Sequence, residues 1–425
     1  MNKYFLLFVF VFLSGASLKS QDIKYDDFFT DEALRLDMYH FGTLDAEDYS
    51  LKSVWRMPGY SGPEKTIFPG LYGEYVLNIT TEDGTLIFSK PYGTLFEEWQ
   101  DSDMVNEGPR VFQETRFIPF PRQAVDIEIY TRRSDTKLVK IWEFHFDPQK
   151  NWYRRDYPVP PASELISGAD NIREQVDVAI VAEGYTADEM DDFEQDAAAF
   201  VKEFLETPPF DQHKEDFSFR IVKAVSEESG CDLPGINIWK NSIADARFYT
   251  LGSERYLTTL AYHNLMDIVS TVPHDQVVLL VNTEKYGGGG IFNHFSVVSA
   301  DHSLSKQVLA HEFGHAFGGL ADEYYTSSTA YVRHPDTGYE WHHPNVTTLV
   351  NFDSKWKHMV HDTVPIPTPD IREYDNTVGA FEGGRYLEKG VYRPYRDCKM
   401  RSIQAEFCPV CQSVLTDIID YYSGR

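Results

Sequence analysis

Residues 303–325 read SLSKQVLAHEFGHAFGGLADEYY. Apolar residues recur at helical spacing through this stretch, and two consecutive glycines follow them. The pattern predicts a helix that ends near Gly318. On such a helix His311 and His315 lie one turn apart, so both imidazole rings project from the same face.

The His-Glu-x-x-His motif has the residues that a catalytic zinc site needs. His311 and His315 fit two zinc ligands, and Glu312 is placed to reach a metal-bound water rather than the metal. Zinc lowers the pKa of that water, and a carboxylate accepts its proton during attack on a carbonyl carbon. A chain of this composition contains the motif about 0.03 times by chance. We therefore predict a zinc site with Glu312 as the general base.

A catalytic zinc ion needs a third protein ligand and one open position. In metzincin-type sites this ligand follows six residues after the second histidine, but that position is Ala321, which cannot bind metal. Asp322 and Glu323 follow directly. We predict Asp322 as the third ligand, with Glu323 or a distant Glu or His as alternatives. Asp322 could instead hold a ligating histidine by a hydrogen bond. Met400 is a candidate for an apolar floor under the zinc, with ordinary core packing as the alternative.

Composition restricts the class of protein. The chain has 425 residues, of which 42% are hydrophobic, which excludes a mainly disordered protein. Its net charge of −27 argues against a nucleic-acid partner, because a phosphate backbone requires a basic face. No run of about 18 apolar residues occurs, so no membrane-spanning helix is expected.

The first residues have the layout of a secretory signal. Lys3 precedes an unbroken apolar run over residues 4–13, and small residues follow at 14–16. We predict a signal peptide over residues 1–20, with a buried N-terminal helix as the alternative. The protein is then secreted or periplasmic, and the lack of a nearby cysteine argues against a lipoprotein.

Hydrophobic patterns divide the remaining chain. Residues 21–150 contain short alternating runs that predict an all-β sandwich, to which we assign a positioning or binding role. The proline-rich residues 151–164 are a linker candidate. In residues 165–425, strand-like runs alternate with helical patterns, which predicts an α/β (α+β) domain with a mainly parallel mixed sheet. Residues 291–298, after the glycines at 287–290, are predicted as one strand.

The chain has four cysteines, namely Cys231, Cys398, Cys408 and Cys411. If the protein is exported, disulfides can persist, and four cysteines allow three pairings among which the sequence does not choose. Cys408-Pro-Val-Cys411 has the spacing of a redox or zinc half-site. Because no second pair has that spacing, we expect a structural role.

Three stretches together resemble a known family. They are HEFGHAFGGLADEY at 311–324, the glycine run at 287–290 before it, and the tail YRPYRDCKMRSIQAEFCPVC at 392–411. The combination resembles the IgA-peptidase family of secreted zinc metallo-endopeptidases, over roughly residues 165–420. The β-rich region before it is similar to the sandwich that often precedes this catalytic domain.

The resemblance implies a zincin-like catalytic domain that hydrolyses peptide bonds. The two histidine ligands of the family fall on His311 and His315. Its glutamate base falls on Glu312, and its aspartate after the glycine break falls on Asp322. The expected substrate is a protein or peptide, with a host glycoprotein as one candidate. Cleavage of immunoglobulin A is not carried over, because substrate selectivity usually lies in loops and accessory domains.

Two other functions remain open from the sequence. One is an exported β-sandwich binding protein whose zinc site is inactive. The other is a zinc hydrolase that acts on non-protein amides or cell-wall peptides, since the same helix geometry serves any attack on a carbonyl carbon. Inactive relatives usually lose the glutamate or a histidine, whereas this chain keeps His311, Glu312 and His315, which favours an enzyme.

Overall fold

The computed structural model describes residues 23–70, 72–133, 137–325 and 336–425. The predicted signal peptide, residues 1–20, lies outside the described residues. The described chain has an α+β fold with several sheets and few helices. None of the helices in these ranges is both long enough and apolar enough to cross a membrane.

Two antiparallel sheets around a shared apolar core form the N-terminal part. Its elements are α1 (Tyr25–Phe28), β1 (Phe29–Gly42), β2 (Glu47–Met57), β3 (Tyr75–Thr81), β4 (Leu86–Tyr92), α2 (Leu95–Asp101), β5 (Arg110–Pro121), β6 (Val125–Arg132) and β7 (Leu138–Phe146). The strand orders are β2-β1-β5 and β4-β3-β6-β7. In β6 the inward residues Val125, Ile127 and Ile129 are fully buried, as expected for a strand with one face on a core.

The rest of the chain is organised around a six-stranded sheet. Its elements are β8 (Ser163–Ser167), β9 (Val176–Glu183), α3 (Met190–Phe204), β10 (Phe217–Val222), β11 (Ala246–Arg247), β12 (Thr258–Thr259), α4 (Tyr262–Ile268), β13 (Gln276–Val281), β14 (Gly288–Ile291), β15 (Phe295–Ser299), α5 (Ser305–Gly318), β16 (Phe381–Gly384), β17 (Leu387–Arg393) and α6 (Pro409–Tyr422). The sheet order is β14-β15-β13-β9-β10-β8. β8 begins within the last two residues of the predicted linker, 151–164.

The sheet is mixed. The three central pairings, β15 with β13, β13 with β9, and β9 with β10, are parallel, and the two outer pairings are antiparallel. Alternate residues of β9 and β13 belong to two apolar clusters, one shared with α3, α5 and α6, the other with α2 and α4. Because both faces are covered, every residue of β9 and β13 is buried.

One predicted strand is wrong. The stretch 291–298 does not form a single strand, because β14 ends at Ile291 and β15 begins at Phe295 in an antiparallel hairpin. At the turn between them Asn293 has a φ of +48°, a left-handed conformation that asparagine tolerates better than most residues. β14 thereby becomes an edge strand of the sheet.

The predicted helix over the His-Glu-x-x-His motif is confirmed as α5. It ends at Gly318, and Gly319 has a φ of +61°, the left-handed conformation that commonly closes a helix. α5 is held by aromatic packing, since Phe313 contacts a ring of α3 and Phe317 contacts a ring of β10. The motif therefore lies on a helix that is packed against the core.

Candidate active site

Three ligand atoms converge beside α5. The Nε2 atoms of His311 and His315 lie 3.2 Å apart. The Oδ1 atom of Asp322 lies 3.2 Å from the first of these atoms and 3.3 Å from the second. A tetrahedral ion with bond lengths near 2.0–2.1 Å separates its ligand atoms by about 3.3 Å. The triangle of nitrogen, nitrogen and oxygen atoms therefore has the size that a zinc ion requires.

The Asp322 Oδ1 atom is buried and has no hydrogen bond of normal geometry. The Nε2 atoms of both imidazoles lie within ion-pair distance of it, but neither forms a hydrogen bond of normal geometry with it. A buried carboxylate oxygen without a partner is costly, whereas a cation within the triangle would satisfy it. Two imidazole nitrogens and a carboxylate oxygen are also donors that zinc accepts. The residues present fit a zinc ion.

Backbone carbonyls orient both imidazoles. His311 Nδ1 lies 2.9 Å from the Lys399 carbonyl oxygen, and His315 Nδ1 lies 2.6 Å from that of Leu320. A ring that donates from Nδ1 keeps a lone pair on Nε2, which is the form that binds metal. Both Nε2 atoms are therefore directed into the triangle.

The second oxygen of Asp322 accepts a hydrogen bond from the Tyr386 hydroxyl. The Tyr324 hydroxyl lies 3.2 Å from that of Tyr386 and extends this network. Burial alone would raise the pKa of Asp322, but in the chain without metal the protonated forms of the neighbouring histidines, His315 above all, hold it well below its usual value. Asp322 is thus an ionised carboxylate with one oxygen hydrogen-bonded and the other directed at the imidazoles.

The Glu312 side chain projects from α5 toward the edge strand β14. Its carboxylate has an oxygen within 4.8 Å of ligand nitrogens on both His311 and His315. Burial raises the pKa of Glu312 above its ordinary value, and the adjacent histidines partly oppose this. The contact with β14 is close, because a Cβ atom on Gly288 would lie 2.7 Å from Glu312 Oε1. Only a residue without a side chain leaves room for the carboxylate there.

The site opens into a cleft of about 1370 Å³, larger than the roughly 300–1,000 Å³ of small-ligand pockets. Residues from both parts of the chain line it, including Glu98 and Asp101 from α2 and Arg385 from the turn after β16. Arg385 and Asp101 form an ion pair at 3.2 Å across the cleft. Burial next to Asp101 raises the pKa of Glu98 to about 7. The β-rich part thus contributes acidic groups to the cleft that its sequence pattern did not reveal.

Two family models match the chain. Residues 165–374 and 370–419 match IgA Peptidase M64, and residues 24–143 match the Peptidase M64 N-terminus. The chain belongs to the IgA peptidase M64 family. Membership indicates a peptidase, and hence a hydrolase with a peptide or protein substrate. No curated protein matches the chain.

In this M64 family member the predicted site residues separate into two groups. His311, His315 and Asp322 come together with Glu312 beside them. Glu323, the alternative third ligand, turns away: its Oε1 accepts a hydrogen bond from Asn345 and lies 3.4 Å from a cysteine sulfur.

Three further residues contact the site of this M64 family member or the helix that carries it. Met400 is fully buried beneath α5, where a Cβ atom on Gly314 would lie 2.8 Å from its sulfur, and it belongs to the main apolar core; its role as an apolar floor under the zinc stays a prediction. Sequence reasoning missed the Tyr386 hydroxyl and the Lys399 carbonyl. Both lie far along the chain from the helix, and neither belongs to a spacing pattern that could have indicated it.

The packing of α5 on β14 predicts the effect of Gly290→Ala. The new methyl group would lie 2.2 Å from the Glu312 carbonyl oxygen, so the helix or the strand has to move. We expect the free energy of unfolding to fall by about 1–3 kcal/mol or more, measured by denaturant titration. Gly59→Ala is the control, because no atom lies within 4 Å of its new methyl group. Equal stability of the two variants would contradict this packing.

Proposed function

We propose that this M64 family member is an exported zinc endopeptidase with a zincin-like catalytic domain. The observation that carries the proposal is the triangle formed by His311 Nε2, His315 Nε2 and Asp322 Oδ1, with the Glu312 carboxylate beside it. When bound there, zinc supplies Lewis acidity, which polarises a substrate carbonyl and lowers the pKa of a water molecule.

The side chains of the protein have separate tasks in this mechanism. Glu312 accepts a proton from the attacking water and returns it to the leaving amine. Its burial, which raises its pKa, makes it a stronger base than an exposed carboxylate. The Lys399 and Leu320 carbonyls hold the two imidazoles in the ligating orientation, and Tyr386 holds Asp322.

The edge strand β14 offers a place for the substrate backbone. It pairs with β15 on one side. On its other side Gly288 forms an isolated bridge with Tyr256, and the rest of β14 has no strand partner there among the described residues. An extended peptide can add to such an edge by main-chain hydrogen bonds. Because Gly288 and Gly290 contact Glu312, a peptide on this edge would pass beside the proposed base. Export through residues 1–20 and a host glycoprotein as the substrate stay predictions.

Glu312→Gln tests the proposed base. The variant keeps the shape of the side chain but cannot accept the proton. We therefore expect the rate of cleavage of a panel of proteins and peptides to fall by about 10²–10⁴-fold. Bound zinc, measured by mass spectrometry of the metal, should remain. The control is Glu254→Gln, an exposed glutamate at the rim of the same cleft, which should retain activity.

The outcomes of this experiment distinguish the three functions. Unchanged cleavage by Glu312→Gln would remove that residue from the mechanism. A wild-type chain that binds zinc and cleaves nothing would support the binding protein. Hydrolysis of non-protein amides or cell-wall peptides, without cleavage of proteins, would support the other hydrolase.

Tyr386→Phe tests the support of the third ligand. Removal of the hydroxyl leaves Asp322 Oδ2 without this donor, and loss of such a contact typically weakens metal binding about 10–100-fold. Competition with a chromogenic chelator measures the change in affinity. Tyr130→Phe is the control, because its hydroxyl donates to Glu128 on the distant strand β6. Equal zinc affinity of both variants would contradict the role of Tyr386.

A further inference from the structure

A second group of side chains of the types that bind metals lies in the core, and one of them is next in sequence to Asp322. It consists of Glu323, Cys398, Cys408 and Cys411, which we call the thiolate cluster. All four residues are buried, and their ligand atoms all lie within 4.8 Å of one another. None of them takes part in the mechanism proposed above.

Two distances within the thiolate cluster match tetrahedral coordination. The sulfur atoms of Cys398 and Cys411 lie 3.7 Å apart, and the Cys411 sulfur lies 3.4 Å from Glu323 Oε1. With Zn–S bonds near 2.3 Å and Zn–O bonds near 2.0 Å, a tetrahedral ion separates two sulfurs by about 3.8 Å, and sulfur from oxygen by about 3.5 Å. The observed spacings therefore leave room for an ion at the centre.

The polar atoms of the thiolate cluster also require a partner. Glu323 Oε1 accepts a hydrogen bond from Asn345, but the buried Oε2 has none. An ionised carboxylate among sulfur atoms in an apolar core is costly unless it takes up a proton or a positive charge compensates it. A divalent cation bound to this residue would supply that charge.

The position of the cysteines favours metal binding. Cys408 immediately precedes α6, which begins at Pro409, and Cys411 lies in its first turn. The positive end of a helix stabilises thiolates, which are the form of cysteine that binds metal. The Cys-x-x-Cys pair is one half of a zinc site, and Cys398 with Glu323 completes it from two other segments of the chain.

We propose that the thiolate cluster binds a structural zinc ion, separate from the ion of the active site. Four protein ligands close the coordination shell, as in structural zinc sites. A disulfide explains the cluster less well, because one bond among three thiols leaves the third unpaired and gives the buried Glu323 Oε2 no partner. The fourth cysteine, Cys231, cannot pair with it, since it lies in the apolar cluster on the other face of the sheet.

This ion would support the active site through the chain. Glu323 directly follows Asp322, and its backbone N–H donates to the Met400 carbonyl at 2.8 Å. Cys398 directly precedes Lys399, whose carbonyl oxygen orients His311. The thiolate cluster therefore anchors the two segments that hold the third ligand and the first histidine.

The test is a metal count on the full chain and on variants of each site. We expect two zinc ions per wild-type chain and one in the double variant His311→Ala, His315→Ala. After exchange for cobalt, that double variant should still show thiolate-to-cobalt charge-transfer absorption, a readout that does not depend on activity. Cys408→Ser, added to the double histidine variant, should remove this absorption. Cys231→Ser in the otherwise wild-type chain is the matched control and should keep both zinc ions.

Two results would overturn the proposal. One is a double histidine variant that is folded, judged by circular dichroism, but contains no zinc and gives no thiolate absorption with cobalt. The other is a disulfide between two of Cys398, Cys408 and Cys411, detected by alkylation and mass spectrometry without reductant. If instead the thiolate cluster holds the only zinc of the wild-type chain, the proposed peptidase mechanism fails and this inference stands.

Discussion

The Asp322 carboxylate is buried next to two imidazoles, and the neighbouring structure depends on balancing its charge. α5 ends at Gly318, and the left-handed residue Gly319 turns the chain back so that Asp322 meets His311 and His315. One of its oxygens accepts a hydrogen bond from the Tyr386 hydroxyl, and the other lies within ion-pair distance of both imidazoles without a hydrogen bond of normal geometry. An ionised group in this position is stable only with a cation nearby.

Residues that lie far apart in sequence hold Asp322, the two imidazoles and Glu312 in place. The glycines of β14 allow the edge strand to approach α5 so closely that no side chain fits between strand and helix at Gly288 and Gly290. The Lys399 carbonyl fixes one ring, and the Tyr386 hydroxyl fixes the carboxylate. If the thiolate cluster binds zinc as well, two metal ions stabilise the chain on either side of the Asp322–Glu323 peptide bond.

Much of this site could be predicted from the sequence because its signal is local. Helical spacing places His311 and His315 on one face, and the glycine break makes Asp322 available. In contrast, the partners Tyr386 and Lys399 depend on tertiary packing, which no spacing pattern encodes. The sequence alone does not give the role of the glycines at 287–290, because only the fold shows that Gly288 and Gly290 pack against Glu312.

The α+β fold of residues 165–425 could be predicted because strand-like runs alternate with helical patterns along the sequence. The β-rich N-terminal part could be predicted because apolar and polar residues alternate within its short runs. The prediction of a single strand over 291–298 was wrong because a turn at Asn293 interrupts an apolar run that has no other break. The sequence shows the Cys-x-x-Cys spacing of Cys408 and Cys411. It does not show that Glu323 and Cys398 lie beside this pair, because those residues come from separate segments of the chain.

Anomalous diffraction at the zinc edge, from crystals of the full chain, tests the central claim most directly. The account predicts a peak about 2.0–2.1 Å from each of His311 Nε2, His315 Nε2 and Asp322 Oδ1. A zinc-replete crystal with no peak inside that triangle, or with imidazoles that face away from each other, would contradict it.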